Sequence, residues 1–213
     1  MANSDKPERY RLFVAVLVPQ DIRHKISVLQ AELQRSLPER GVTWTRYEQL
    51  HLTLKFLGNV ETNAVGPLTE HLRTACEGFS SLCLRAQHLG AFPDLRFPRV
   101  IWVGINDSEG KLPQLQRAIE AASRDFTTEE PEDRFTGHVT LGRAKRLRPR
   151  DAQTLSGLLS RMADQSFGQW TADAIELLRS QLAPEGARHT ILATIPFRSL
   201  ATRLDERNIQ QTR

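Results

Sequence analysis

The chain has little that could anchor it in a membrane or cross-link it. Its longest apolar run, Leu12 to Val18, is far short of the roughly 20 residues a helix needs to cross a bilayer. Residues 1–9 are polar and lack the apolar core of a secretion signal. They are expected to form a flexible tail, as is the end of a C-terminal extension over 198–213. Only two cysteines occur, Cys76 and Cys83, in no metal-binding or redox spacing. Free thiols in a reducing cytoplasm are the expectation. What remains, 10–197, is long enough for one sizeable domain. A net charge of +4 and an isoelectric point near 9.4 favour anionic ligands without specifying one.

Against this background one pattern stands out. His51-Leu52-Thr53-Leu54 and His138-Val139-Thr140-Leu141 spell the same tetrad twice, each within an apolar, β-branched run that predicts a strand. In a strand, residues i and i+2 share a face. Each tetrad therefore turns an imidazole and a hydroxyl one way, toward a cleft, and two aliphatic side chains the other way, toward a core.

The surrounding pattern repeats as well. Strands are predicted near 10–18, 50–57, 81–89, 100–105, 135–143, 171–182 and 190–196, with helices near 21–36, 62–76, 112–126 and 150–162. The order is strand, helix, His strand, helix, strand, performed twice. The histidines are 138 − 51 = 87 apart, and Leu12 and Val100, which open the matching first strands, are 88 apart. A near-constant offset over a whole unit points to internal duplication. Duplicated halves commonly pair about a pseudo-twofold axis, which would bring both His-Thr faces to one cleft.

The residue types suit acid–base chemistry at phosphorus. Imidazole titrates near neutrality, so one copy can accept a proton while the other donates one. Threonine hydroxyls and cations can hold the phosphoryl oxygens as charge redistributes, and Thr53, Thr140, Lys55 and Arg143 are the candidates. Strict alternation puts Lys55 on the His51 face but puts Arg143 opposite His138, so Arg143 joins the site only if the strand ends or twists. A metal is the rival use of paired histidines, but neither tetrad supplies a third ligand at i+2 or i+4. No metal and no cofactor are expected. His24 and His71 fall in helical stretches. His88 and His189 lie in strands without the repeated motif. All four read as structural or solvent-exposed. Lys145, Arg146 and Arg148 crowd after the second tetrad. Such a run serves either as a solvated loop or as a contact for RNA phosphates.

HLTLKFLG (51–58) and HVTLGR (138–143) resemble the paired signatures of the 2H phosphoesterase superfamily. They are most similar to its bacterial, LigT-like branch, described as RNA 2′,3′-cyclic phosphodiesterases or 2′-5′ RNA ligases. The flanks RLFVAVLVP (11–19), LGAFPDLRFPRVIWVGI (89–105) and IELLRSQLAPEGARHTILATIPF (175–197) resemble it too. The resemblance implies an α+β, bilobal, duplicated fold: two antiparallel-rich sheets with outer helices around a central cleft. It implies that His51 and His138 are the catalytic pair, that Thr53 and Thr140 hold phosphate, and that Arg143 lies in the site. The implied reaction opens RNA 2′,3′-cyclic phosphate ends to 2′-phosphomonoesters, in a cytoplasmic monomer. Reversible 2′-5′ ligation uses the same residues. A non-catalytic RNA-end binding module would be marked by loss of a histidine, and both are present. Tyr47 and Gly137 stand where that branch commonly has proline, a departure that bears on loop shape.

Overall fold

Leu12 to Val16 are all buried although they alternate between two faces. Leu12, Val14 and Val16 join the main core, while Phe13 and Ala15 pack with Leu178 in a small separate cluster. A strand covered on both sides reads as a continuous apolar run, and this one, β1 (Arg9–Leu17), is interior to the sheet. The computed structural model describes residues 7–38, 41–131, 134–145, 147–183 and 186–197.

Four helices cover the core face. They are α1 (Gln20–Arg35), α2 (Val65–Cys76), α3 (Lys111–Ser123) and α4 (Pro149–Arg161). Each buries residues at helical spacing, as Ile22, Ile26, Leu29 and Leu33 do on α1. The remaining strands are β2 (Val42–Trp44), β3 (His51–Glu61), β4 (Leu82–Phe92), β5 (Val100–Asp107), β6 (His138–Ala144), β7 (Ser166–Ala172), β8 (Ala174–Ala183) and β9 (Gly186–Pro196). All pairings are antiparallel, in the order β7-β4-β5-β6-β3-β1-β8-β9, with β2 added on β6.

The expected α+β architecture is present, with three corrections. The two anticipated sheets are one, because β3 and β6 pair at Leu52↔Val139 and continue the hydrogen-bonded path. Beyond that pair β6 turns its edge to β2, from Val42↔Ala144 to Trp44↔Gly142, a short strand without a detectable sequence period. The stretch expected as one strand over 171–182 is divided into β7 and β8, which lie far apart in the sheet order, β7 at one edge and β8 next to the strand at the other. The last strand of each expected unit is also exchanged: β4 pairs with β5, while β8 pairs with β1.

Register carries the repeat further than residue identity does. Leu17↔His51, Val16↔Leu52, Ala15↔Thr53, Val14↔Lys55 and Phe13↔Phe56 in β1–β3 become Gly104↔His138, Val103↔Val139, Trp102↔Thr140, Ile101↔Gly142 and Val100↔Arg143 in β5–β6. Every number rises by 87, so Val100 matches Phe13 and not Leu12. The joining pair Leu52↔Val139 is itself 87 apart. It is the point about which the two tetrads face each other.

Candidate active site

Both registers skip the residue after the threonine of the His strand: Leu54 has no partner between Thr53 and Lys55, and Leu141 none between Thr140 and Gly142. These are β-bulges, which reverse the alternation of the side chains that come next. Leu54 and Lys55 are consecutively buried, as are Leu141 and Gly142. The next residues, Phe56 and Arg143, then turn to the cleft.

One irregularity thus settles two sequence expectations in opposite senses. Arg143 joins the tetrad face that strict alternation denied it. Lys55 leaves that face, which corrects the expectation that it binds phosphate. Its side chain is only 2 % exposed, with Nζ 2.6 Å from Glu120 Oε1 on α3 and 3.1 Å from the Glu130 carbonyl. The bulged Leu141 carbonyl accepts hydrogen bonds from Gln30 Nε2 of α1 at 2.8 Å and from the Thr45 amide at 2.8 Å. Gln30 also donates to the Thr45 carbonyl at 2.7 Å.

Antiparallel pairing through Leu52↔Val139 sets His51 beside Thr140 and Thr53 beside His138. Leu52 and Val139 are fully buried beneath. Above them lies a cavity of about 260 Å³ whose polar wall includes His51, Thr53, Thr140, Arg143, Arg11 and His189. His138 sits at the next position along its strand face, outside the residues that line this cavity, and packs against Phe92 and Trp102 at ring-centroid distances of 5.1 and 6.5 Å. A side chain at Gly90 would collide with the Trp102 indole at 2.3 Å, so glycine there lets that ring lie flat on β4.

The imidazoles are held alike. His138 Nδ1 donates to the Thr136 carbonyl at 2.7 Å, which keeps the proton on Nδ1 and leaves Nε2 for the cleft. His51 has the matching backbone hydrogen bond, to Gln49, again two residues back. Burial lowers the His51 pKa to about 4, reinforced by neighbouring His189 and, more weakly, His138, against the Gln49 bond. Burial also lowers the pKa of His138; the Thr136 bond opposes this and the charge of Arg143 assists it. With both values lowered, the two rings are uncharged at neutral pH.

Sequence reasoning missed His189. It lies on β9 opposite Ser180, 5.4 Å from His51 edge-to-face, and both rings pack on Phe13 at 4.9 Å. Its strand has no repeated motif, and only the β8–β1 pairing brings it to the cleft. Arg11 comes from β1 itself, through the β1–β3 pairing at Arg11↔Asn59. Of the basic run, Lys145 is exposed, and Arg148 is held by Asp151, Nε to Oδ2 at 2.8 Å, at the start of α4. Neither lines the cavity, and Arg146 lies outside the described residues. Among the described residues no three His, Cys, Asp or Glu side chains are grouped as metal ligands, and no helix is long and apolar enough to cross a membrane.

Comparison with known proteins shows the family and the fold. The family described as "LigT like Phosphoesterase" matches residues 16–102. An RNA 2′,3′-cyclic phosphodiesterase of Archaeoglobus fulgidus is 32% identical over 176 residues, covering 83% of this chain and 94% of that protein. One of Aeropyrum pernix is 34% identical, covering 73% and 88%. Among solved structures, TT0787 of Thermus thermophilus superposes with a TM-score of 0.72 at 26% identity, over 89% of this chain and 99% of that one. E. coli LigT, solved with 3′-AMP, gives 0.70 at 24% identity over the same shares and speaks for the fold alone. The chain belongs to the LigT-like (2H) phosphoesterase family.

Proposed function

We propose that this phosphoesterase hydrolyses RNA 2′,3′-cyclic phosphodiester ends to 2′-phosphomonoesters, with His51 and His138 as acid–base pair and no metal in the reaction. The observation that carries the reading is the Leu52↔Val139 seam, which sets each imidazole beside the other strand's threonine. Its relatives in Archaeoglobus and Aeropyrum, named RNA 2′,3′-cyclic phosphodiesterases, support the same substrate.

One neutral imidazole takes a proton from water as the water oxygen bonds to phosphorus. The P–O3′ bond breaks on the opposite side, and the other ring, carrying a proton, gives it to the departing O3′. Thr53, Thr140 and Arg143 hold the non-bridging oxygens, whose charge shifts along the path. The bound phosphodiester anion favours the protonated ring, offsetting the burial that lowers its pKa. Two imidazoles account for both proton transfers, so the reaction needs no Lewis acid. Incubation with an oligonucleotide ending in a 2′,3′-cyclic phosphate, with EDTA present, should yield the 2′-phosphate alone. A 3′-phosphate product would reverse the leaving group and overturn this assignment.

A further inference from the structure

A second cavity, of about 510 Å³, opens on the far side of His51 and His189, which line both spaces. The end of β1 and start of α1, the β7–β8 turn and the outer face of β8–β9 enclose it. That volume falls within the usual range for small-molecule sites. Its charge balance differs from that of the phosphate cavity. In place of Arg11 and Arg143 it carries the carboxylates Glu48, Asp173 and Glu176, the last only 7 % exposed, together with Arg23.

The walls suit a flat heterocycle. Leu17 and Ile191 present large apolar side chains that are 44 % and 49 % exposed, a position that normally needs no explanation singly but here flanks one cavity. Glu176 accepts one hydrogen bond, from Thr194 Oγ1 at 2.6 Å, and a carboxylate has lone pairs for more. Burial raises its pKa, the Thr194 bond opposes the rise and the Asp173 charge adds to it. A donor group stands on the same walls: the Arg23 guanidinium, whose carbon lies 5.0 Å from the centroid of the Tyr47 ring. The cavity therefore asks for a ligand edge that both donates and accepts.

We infer that this cavity binds the base of the terminal nucleotide and that Glu176 makes it select guanine over uracil. The inference rests on the reaction proposed above, since sharing His51 is what joins the base to the reacting phosphate. Guanine presents adjacent N1–H and N2–H donors to one carboxylate, and O6 as an acceptor for the Arg23 guanidinium. Uracil offers a single N–H flanked by two carbonyl oxygens, which the carboxylate repels.

Calorimetric binding of guanosine 2′-phosphate and uridine 2′-phosphate to the whole chain tests this without turnover. The wild-type protein should bind the guanosine compound roughly tenfold to a hundredfold more tightly, the discrimination expected of a good bidentate pair. Glu176→Gln should bring the ratio close to one. Equal wild-type affinities, an unchanged ratio in the variant, or equal weakening of both ligands would each overturn the inference. The wild-type ratio requires no variant, so a misfolded Glu176→Gln protein cannot shield it. Turnover separates the two readings. Hydrolysis of all cyclic nucleotides with equal kcat/KM would sink the subsite and keep the reaction. Guanosine-selective binding without any hydrolysis would do the opposite.

Discussion

Gln30 donates a hydrogen bond from Nε2 to the carbonyl of Leu141 at 2.8 Å, from helix α1 to the residue of β6 that the β5–β6 register skips. A bulge leaves a carbonyl outside the ladder, and a buried carbonyl needs a donor. By meeting that need, Gln30 helps hold the irregularity that turns Arg143 into the cleft.

Gln30→Leu keeps the volume and removes the donor. Leaving Leu141 O underserved and Thr45 O without its side-chain partner should cost about 1–3 kcal/mol, measured by urea unfolding. Because Arg143 is displaced, KM for a cyclic nucleotide should rise while the pH–rate profile keeps its shape. Loss of stability with wild-type kinetics would mean the bulge stands without Gln30.

Lys55 and Arg143 should dissociate stability from phosphate binding. Lys55→Met leaves Glu120 unpaired beside the core and should destabilise by about 3–5 kcal/mol. Competitive inhibition by inorganic phosphate should persist in the folded variant. Arg143→Met should unfold like the wild type and lose phosphate inhibition. The reverse pattern would restore Lys55 to the site and remove Arg143.

The tetrads were legible because each is short, alternating and repeated, and alternation survives as far as the threonine in both copies. It fails one residue later. A bulge is fixed by groups distant in sequence, as Gln30 and Thr45 are for Leu141, so a local period announces neither the burial of Lys55 after Leu54 nor the turn of Arg143 into the cleft. The single sheet and His189 were hidden for a different cause: both depend on long-range pairing, Leu52↔Val139 in one case and β8 on β1 in the other. Helices α1 to α4 emerged close to their expected spans because their apolar spacing is local.

Stability should fall with acidification in a window set by the histidines. His51 titrates at about 4 when folded and near 6.5 when unfolded, so the unfolded chain binds the proton first. Its contribution is complete above pH 6.5 and is lost as pH drops from there to about 4. The slope is at most ~1.4 kcal/mol per pH unit for one group, and the lowered pKa values of His138 and His189 act in the same direction. His51→Phe should flatten the dependence. A variant as acid-sensitive as the wild type would place the titrating group elsewhere.

The exposed Lys145 tests whether the basic run meets RNA. If it contacts backbone phosphate, Lys145→Glu should weaken binding of a cyclic-phosphate oligonucleotide and reduce its salt dependence. Mononucleotide affinity should hold. Arg148, already paired with Asp151, should matter less. Equal effects of Lys145→Glu on both substrates would indicate damage to β6 instead.

The central claim is that two imidazoles meeting across the Leu52↔Val139 seam perform both proton transfers. The most direct test is the rate of cyclic-phosphate hydrolysis in EDTA for the wild type, His51→Ala, His138→Ala and the double variant. The wild type should be unaffected by the chelator. Each single variant should lose on the order of 10²–10⁴-fold, and the double variant far less than the product of the two losses. A single variant close to wild type, or activity abolished by EDTA and restored by one divalent ion, would contradict the account.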